Sequence, residues 1–216
     1  MSNFGCRELR LVNPYAVAFR EARSAVGAST LLKNAREFSS LAEAVGDCAL
    51  VIGTTAVRNR ALQHPVRRLN DASGSAIRDA LKSGPVALLF GSEKIGLTND
   101  DFTHCHWLLN IATHEQHISM NLGQAVAVCL FGLSSSVAED SPAKRELALS
   151  GEIEEIAQVL LEALKTSGYV KPGNDEVSEH KVRRLLRRLN LEVMDAKVLL
   201  GMVRQIAWKL RHTSKS

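Results

Sequence analysis

The fold of this chain is decided by two stretches of sequence, Val86-Ala-Leu-Leu-Phe-Gly-Ser-Glu-Lys-Ile-Gly-Leu97 and Ser119-Met-Asn-Leu-Gly-Gln-Ala125. The first is an apolar run of strand length that ends in a glycine-bearing turn, and the second is a polar turn that opens a long apolar helix. Brought side by side, the two turns would form a pocket of backbone amides and carbonyls. We therefore expect a ligand with hydrogen-bonding edges to bind there.

The composition is that of a globular chain with a small excess of positive charge. Of the 216 residues, 45% are hydrophobic and 23% are charged, and the formal net charge is +4. No apolar run approaches the ~20 residues of a membrane-spanning helix, and the first residues lack the apolar core of a signal peptide. We therefore predict a cytoplasmic protein with no membrane segment, whose basic balance is compatible with a nucleic-acid partner.

Neither the cysteines nor the histidines form a metal-binding pattern. The four cysteines lie far apart with no CxxC pair, which argues against a zinc ribbon and against a disulfide framework. The clusters His104-Cys-His106 and His114-Glu-Gln-His117 fit no standard zinc spacing. We therefore predict no metal and expect Cys105 and Trp107 to pack in the core, although a catalytic Cys-His pair stays open.

Apolar runs and helical periodicity alternate along the first two thirds of the chain. Continuous apolar runs of strand length are typical of parallel strands that are covered on both faces, and their order with the helices predicts an α/β fold with a mostly parallel sheet. The predicted strands span 9–12, 48–52, 85–90 and 108–111, and the predicted helices span 15–26, 39–45, 73–82 and 122–133.

The composition changes after a Ser-rich stretch that contains Pro142, which marks a domain boundary. We predict an α/β domain over 1–137, a linker over 138–150, and a small all-α domain over 151–216 with three helices. The first carries apolar residues at helical spacing between Ile153 and Leu164, the second spans 180–189 and the third spans 192–210. In the helix over 180–189 the apolar side chains fall on one side and four arginines on the other. The apolar side holds Val182, Leu185, Leu186 and Leu189, and the basic side holds Arg183, Arg184, Arg187 and Arg188.

Two interpretations of this basic helix stay open. Arginine clusters without interleaved acidic residues fit contacts to RNA phosphates, whereas a solvated helix face is the more common explanation of any basic helix. Arg58 and Arg60, which follow the Gly53-Thr-Thr-Ala loop, are further candidates for phosphate contacts, and solvated loop charges are again the alternative.

Several motifs together resemble the SpoU/TrmH branch of the SPOUT RNA methyltransferases. Phe90-Gly-Ser-Glu-Lys-Ile-Gly-Leu-Thr-Asn99 and Ile118-Ser-Met-Asn-Leu-Gly-Gln-Ala125 look like the second and third motifs of that branch. Leu9-Arg-Leu-Val-Asn-Pro14 and Gly53-Thr-Thr-Ala56 match its second strand and the loop after its third. The C-terminal helices are similar to the extension of the tRNA ribose methyltransferases of this branch, so the resemblance covers nearly the whole chain.

The resemblance implies a C-terminal trefoil knot that binds S-adenosylmethionine, a homodimer whose active sites are completed by the partner, and methyl transfer to a ribose 2′-hydroxyl. The RNA implied is tRNA, at the anticodon-loop region. Carried over by motif, the cofactor-binding residues are Thr54, Thr55, Gly91, Ser92, Glu93, Gly96, Ile111, Ser119, Met120 and Asn121.

The family also has an N-terminal Asn-x-Gly-x-x-x-Arg motif, whose arginine is thought to activate the ribose hydroxyl, and no residue of this sequence matches it. A 2′-hydroxyl is a poor nucleophile that needs a base or a positive field. Ser119 and Asn121 are the remaining polar candidates for catalysis, and Ser119 could instead cap the helix that begins near Leu122. The hypotheses are therefore an RNA 2′-O-methyltransferase, a catalytically impaired RNA-binding protein of the same fold and, disfavoured by the basic helix, a small-molecule enzyme.

Overall fold

The structure is a computed structural model that describes residues 1–14, 29–56, 63–114, 120–134, 146–171 and 173–213. The predicted helix over 15–26 lies outside the described residues. The strands are β1 (Arg10–Val12), β2 (Arg36–Phe38), β3 (Leu50–Thr55), β4 (Val66–Arg68), β5 (Val86–Leu89) and β6 (Trp107–Asn110). The helices are α1 (Ser29–Lys33), α2 (Leu41–Val45), α3 (Asp71–Leu81), α4 (Asn99–Thr103), α5 (Leu122–Ser134), α6 (Ser150–Thr166), α7 (Asp175–Leu189) and α8 (Val193–Thr213), and a 3₁₀ turn spans Ser2–Phe4.

The described strands form two parallel sheets, which confirms the predicted α/β class. Four strands pair in the order β4-β6-β3-β5, and β1 pairs with β2. The two central strands carry side chains that are almost fully buried, among them Val51, Ile52, Leu108 and Leu109. Burial of alternating side chains on both faces explains why these strands are continuous apolar runs in the sequence.

One apolar cluster covers each face of the four-stranded sheet. Val51 and Leu108 pack with Phe102 of α4 on one face, whereas Ile52 and Leu109 pack on the other face. Cys129 of α5 and Ile77 of α3 belong to the second cluster. The core is therefore built around β3 and β6, and it holds their carboxyl ends at fixed positions.

The elements that the sequence did not predict are all short. β2 and β4 are three-residue edge strands with mostly exposed side chains, and α1 and α4 are five-residue helices. Such segments show little periodicity, because an edge strand buries few side chains and one helical turn has no repeat. Local capping nevertheless determines α4, since the Thr98 hydroxyl accepts a hydrogen bond from the backbone N–H of Asp101 at 3.1 Å.

The three C-terminal helices that the sequence predicted are present; α6 and α7 pack directly on the α/β part, and α8 packs on α6. α6 begins against the start of β3, where the backbone N–H groups of Ser150 and Gly151 donate to the carbonyls of Cys48 (2.8 Å) and Gly46 (2.7 Å). A Cβ at Gly151 would lie 2.9 Å from the Gly46 oxygen, so glycine permits this approach. The described residues 146–150 of the predicted linker thus belong to the packed structure. No helix among the described residues is long and apolar enough to cross a membrane.

Candidate active site

Three parallel strands end side by side and position the candidate site. The Thr54 hydroxyl, near the end of β3, donates to the Leu89 carbonyl at the end of β5 over 2.8 Å. The Asn110 side-chain amide, at the end of β6, donates to the Thr55 carbonyl over 3.0 Å. Ligands of open parallel sheets bind in the crevice outside the carboxyl ends of the strands, which is the position of these residues.

The loop after β5 closes tightly on itself. Its ends are joined by the Gly96 N–H, which donates to the Ser92 carbonyl at 2.8 Å. A Cβ at Gly91 would lie 1.9 Å from the carbonyl carbon of Gly96, and Gly96 itself has a φ of +70°. Both positions therefore require glycine, one because the two ends of the loop approach closely and the other because of its left-handed conformation.

Asn121 connects this loop with the helix that follows β6. Its side-chain oxygen accepts hydrogen bonds from the backbone N–H groups of Gly123 (2.9 Å) and Gln124 (3.3 Å) and so caps α5. Its amide nitrogen donates to the Glu93 carboxylate over 3.0 Å. The capping that the sequence offered to Ser119 is therefore performed by Asn121, and Ser119 lies outside the described residues.

These strand ends and loops surround a cavity of about 310 Å³, a volume at the lower end of the ~300–1,000 Å³ typical of small-molecule sites. Eight of the predicted cofactor-binding residues line it. Asn121 does not line the cavity but hydrogen-bonds to Glu93, which does. The eight are Thr54, Thr55, Gly91, Ser92, Glu93, Gly96, Ile111 and Met120. The lining therefore combines a rim of loop backbone with apolar side chains.

About half of the residues that line this cavity were not predicted from the sequence. The additional residues include Phe90, Leu97 and Phe102, whose apolar side chains form part of the wall, and Lys94 and Thr113, which add polar groups. Phe90 and Leu97 lie within the quoted motif, so their position beside the glycines could have identified them. Phe102 could not be identified in this way, because α4 brings it to the cavity through tertiary packing.

The His104-Cys-His106 cluster is buried between α4 and β6, and its residues are not among those that line this cavity. Burial lowers the pKa of His106 to about 3 and lowers the pKa of His104, so both rings are neutral at pH 7. The backbone N–H of Val51 donates to Nδ1 of His106 over 3.1 Å. Burial raises the thiol pKa of Cys105, Cys48 and Cys129, and the only cysteine that is not buried is Cys6. No group of three potential metal ligands occurs among the residues that the structure describes.

The predicted division of α7 into an apolar face and a basic face is correct for Val182 and Leu186, which are buried, but wrong for three other residues. Arg187 is only 2% exposed, whereas Leu185 and Leu189 are about half exposed, at 49% and 51%. Arg187 Nη2 lies 3.5 Å from a Glu154 carboxylate oxygen, and Arg183 Nη2 lies 2.9 Å from the other. The reason is tertiary, because α6 supplies a carboxylate that holds these two arginines against the protein. Arg184 and Arg188 form no ion pair with any residue that the structure describes, and Arg58 and Arg60 lie outside the described residues.

The fold and the site define a class: a parallel α/β protein with a ligand cavity at its strand ends and a helical C-terminal unit. The sequence model of the SpoU rRNA methylase family matches residues 1–131. The chain therefore belongs to the SpoU methylase family.

Two individual relatives within this class are similar to the chain over nearly its whole length. The chain is 31% identical over 222 residues to the tRNA (cytidine/uridine-2′-O-)-methyltransferase TrmJ of Sodalis glossinidius, covering 100% of this chain and 85% of that protein. It is 32% identical over 215 residues to TrmJ of Cronobacter sakazakii, covering 95% and 87%.

Solved structures agree with these relatives. The crystal structure of TrmJ from Z. mobilis ZM4 superposes with a TM-score of 0.83 at 31% identity, covering 95% of this chain and 89% of that one. A probable methylase family protein from Haemophilus influenzae Rd KW20 gives a TM-score of 0.56 at 27% identity, covering 98% and 89%. The similarity to the first structure includes both the α/β part and the C-terminal helices.

Proposed function

We propose that this chain transfers a methyl group from S-adenosylmethionine to a ribose 2′-hydroxyl of tRNA. The observation that carries the proposal is the cavity at the strand ends of a chain in the SpoU methylase family. The relatives named TrmJ are tRNA (cytidine/uridine-2′-O-)-methyltransferases and align over nearly the whole chain. We further propose that the target lies in the anticodon-loop region, as the resemblance of the motifs implies, and that the reaction takes place in the cytoplasm.

The residues around the cavity fit S-adenosylmethionine as the methyl donor. When bound, this cofactor supplies an electrophilic methyl group on a sulfonium. The closed loop of Gly91 and Gly96 offers backbone groups without side chains in front of them, which suits the polar edges of an adenine. Ile111 and Met120 supply apolar surface, and Glu93 suits the amino group of the methionine end better than the adenine.

Asn121 is the described residue that we propose to act beside the acceptor, together with Ser119. Its amide fixes the Glu93 carboxylate over 3.0 Å, while its oxygen is held by the first N–H groups of α5. This double contact leaves the side chain little freedom. It therefore sets the position of a carboxylate next to the donor cavity, and such positioning contributes to catalysis when it holds reactants in line.

We also propose that the active form is a homodimer, with α5 at the interface. This helix is apolar nearly all round, yet Cys129 is the only one of its side chains that is buried. Phe131 is 63% exposed. An exposed apolar helix face of this kind is typical of protein interfaces.

The test is methyl transfer to bulk tRNA from S-adenosylmethionine with a tritiated methyl group, followed by nucleoside analysis. We expect label in 2′-O-methylated cytidine or uridine. Asn121→Asp keeps the capping oxygen but replaces the amide with a carboxylate that faces Glu93, so we expect a folded protein whose turnover falls about 10- to 100-fold. Lys197→Ala, an exposed change on α8, serves as the control.

Donor binding by calorimetry separates the possible failures. A folded protein that binds no S-adenosylmethionine would contradict the cofactor assignment. A protein that binds both the donor and tRNA but transfers no methyl group would instead be an RNA-binding member of the family. Equal turnover of wild type and Asn121→Asp would remove Asn121 from the proposed machinery.

A further inference from the structure

A second cavity, of about 220 Å³, lies where α7 packs against the α/β part. α7 contributes Val177, His180, Lys181 and Arg184, and the α/β part contributes Gln63, His64, Asn99, Phe102 and Thr103. Phe102 lines both this cavity and the cavity at the strand ends. The two cavities are therefore neighbours that share one aromatic side chain.

The cations of this cavity differ from the other arginines of α7. Arg183 and Arg187 share the Glu154 carboxylate, but Arg184 and Lys181 have no ion pair among the residues that the structure describes. Burial and the neighbouring Arg188 both lower the pKa of Arg184. An unpaired, half-buried cation one turn from a like charge destabilises the free protein, and a bound anion would remove that cost.

His64 supplies an independent observation. Its side chain is 8% exposed and packs beside Phe102 with ring centroids 6.2 Å apart, and its Nε2 atom has no hydrogen-bond partner among the described residues. Buried polar groups are nearly always hydrogen-bonded, so a ring nitrogen without a partner beside a cavity indicates a missing ligand. Burial, Arg184 and Arg188 lower the pKa of His64 to about 4, which keeps the ring neutral and able to donate one N–H.

One acidic group borders the cavity. Asp100 Oδ1 lies 3.2 Å from His180 Nε2 and 4.0 Å from Arg183 Nη1. This carboxylate is satisfied by two basic neighbours and orients His180. Among the residues that the structure describes, Lys181, Arg184 and Arg188 have no acidic partner, so the local balance of charge favours an anion.

We propose that this second cavity binds a backbone phosphate of the RNA substrate, held by Lys181 and Arg184. The proposal rests on the proposed function and adds to it a site that contacts the RNA backbone. The volume is below the ~300 Å³ of the smallest typical ligand pockets, which suits one phosphodiester group better than a whole nucleotide. Its position beside Phe102 would fix the register of the RNA relative to the donor cavity.

The experiment measures tRNA affinity of the full chain over a salt series, together with thermal stability. For Arg184→Gln combined with Lys181→Ala we expect weaker binding and a log–log salt slope that is flatter by about 1. Arg184→Gln alone should also raise Tm by about 2 °C, because it removes an uncompensated cation. Lys197→Ala is the matched control, and we expect it to leave binding, slope and Tm unchanged.

The outcomes distinguish this inference from the proposed function. If wild type methylates tRNA but the variants show an unchanged salt slope, the phosphate site is overturned and the proposed activity stands. Wild type that neither binds donor nor methylates tRNA would overturn the activity itself. Calorimetry with inorganic phosphate and with AMP tests whether the cavity instead binds a free small molecule. If wild type binds one of these two compounds tightly, and Arg184→Gln loses that binding while its tRNA affinity is unchanged, RNA would be overturned as the source of the phosphate.

Discussion

At the scale of single residues, Gly91 shows how closely the loop after β5 is packed. The distance of 1.9 Å between a Cβ at this position and the Gly96 carbonyl carbon is shorter than any non-bonded contact, and the obstacle is backbone. A side chain could be accommodated only if the loop opened. Opening would remove the backbone rim of the cavity at the strand ends.

Gly91→Ala should therefore abolish donor binding while leaving most of the fold in place, since the change affects a surface loop. Calorimetry with S-adenosylmethionine and circular dichroism measure the two effects. Gly201→Ala is the matched control, because a Cβ there meets nothing within 4 Å and Gly201 lies inside α8. We expect the control to raise stability by about 0.5–1 kcal/mol with donor binding unchanged. Unchanged donor binding in Gly91→Ala would contradict this role of the loop.

Residue-level prediction from sequence succeeded where the backbone itself forms the site. Gly91 and Gly96 follow an apolar strand, and the local pattern is sufficient to identify a loop at a strand end. It failed for Phe102 and Arg187, because their positions depend on partners that are distant in the chain. Asn121 falls between these cases, since its role as a cap is local but its contact with Glu93 spans 28 residues.

At the scale of elements, α7 illustrates the same limit. Its helical periodicity was sufficient to predict its existence, although the helix begins at Asp175 and not at 180. The arginine side chains could not be assigned to a face, because Glu154 on α6 attracts Arg183 and Arg187 inward. Burial lowers the pKa of Arg187 to about 10, and the Glu154 carboxylate opposes that shift.

Glu154→Ala should destabilise the protein by about 3–5 kcal/mol, because it leaves Arg187 buried without its carboxylate. Urea unfolding followed by circular dichroism gives the free energy. The neighbouring Glu155 pairs with Arg204 at the surface, and Glu155→Ala should change stability by no more than about 1 kcal/mol. Similar losses for the two variants would mean that the buried pair contributes no more than an exposed one.

At the scale of the whole molecule, the alternating order of apolar runs and helices was enough to predict a parallel sheet, because that order leaves few alternatives. The direct packing of the helical unit on the segment between α2 and β3 was not predictable, since it depends on backbone hydrogen bonds from Ser150 and Gly151. The trefoil knot stays a prediction from the family, because residues 115–119, between β6 and α5, lie outside the described residues.

The proposed homodimer leads to a prediction about the exposed face of α5. Phe131→Glu places a charge on the exposed apolar face of α5, so we expect the proposed dimer to dissociate into monomers and methyl transfer to fall with it. Light scattering after size exclusion measures the mass. Leu81→Glu is a suitable control, because Leu81 is also exposed, at 56%, but lies at the end of α3. A monomeric wild type would contradict the dimer.

The burial of three cysteines has a practical consequence. Thiolates react with maleimides, and burial keeps Cys48, Cys105 and Cys129 protonated and covered. Cys6, beside the first turn of the chain, is left as the accessible thiol. A single fluorophore can therefore be attached there without mutating any cysteine, at a position outside both cavities, to follow the binding of RNA.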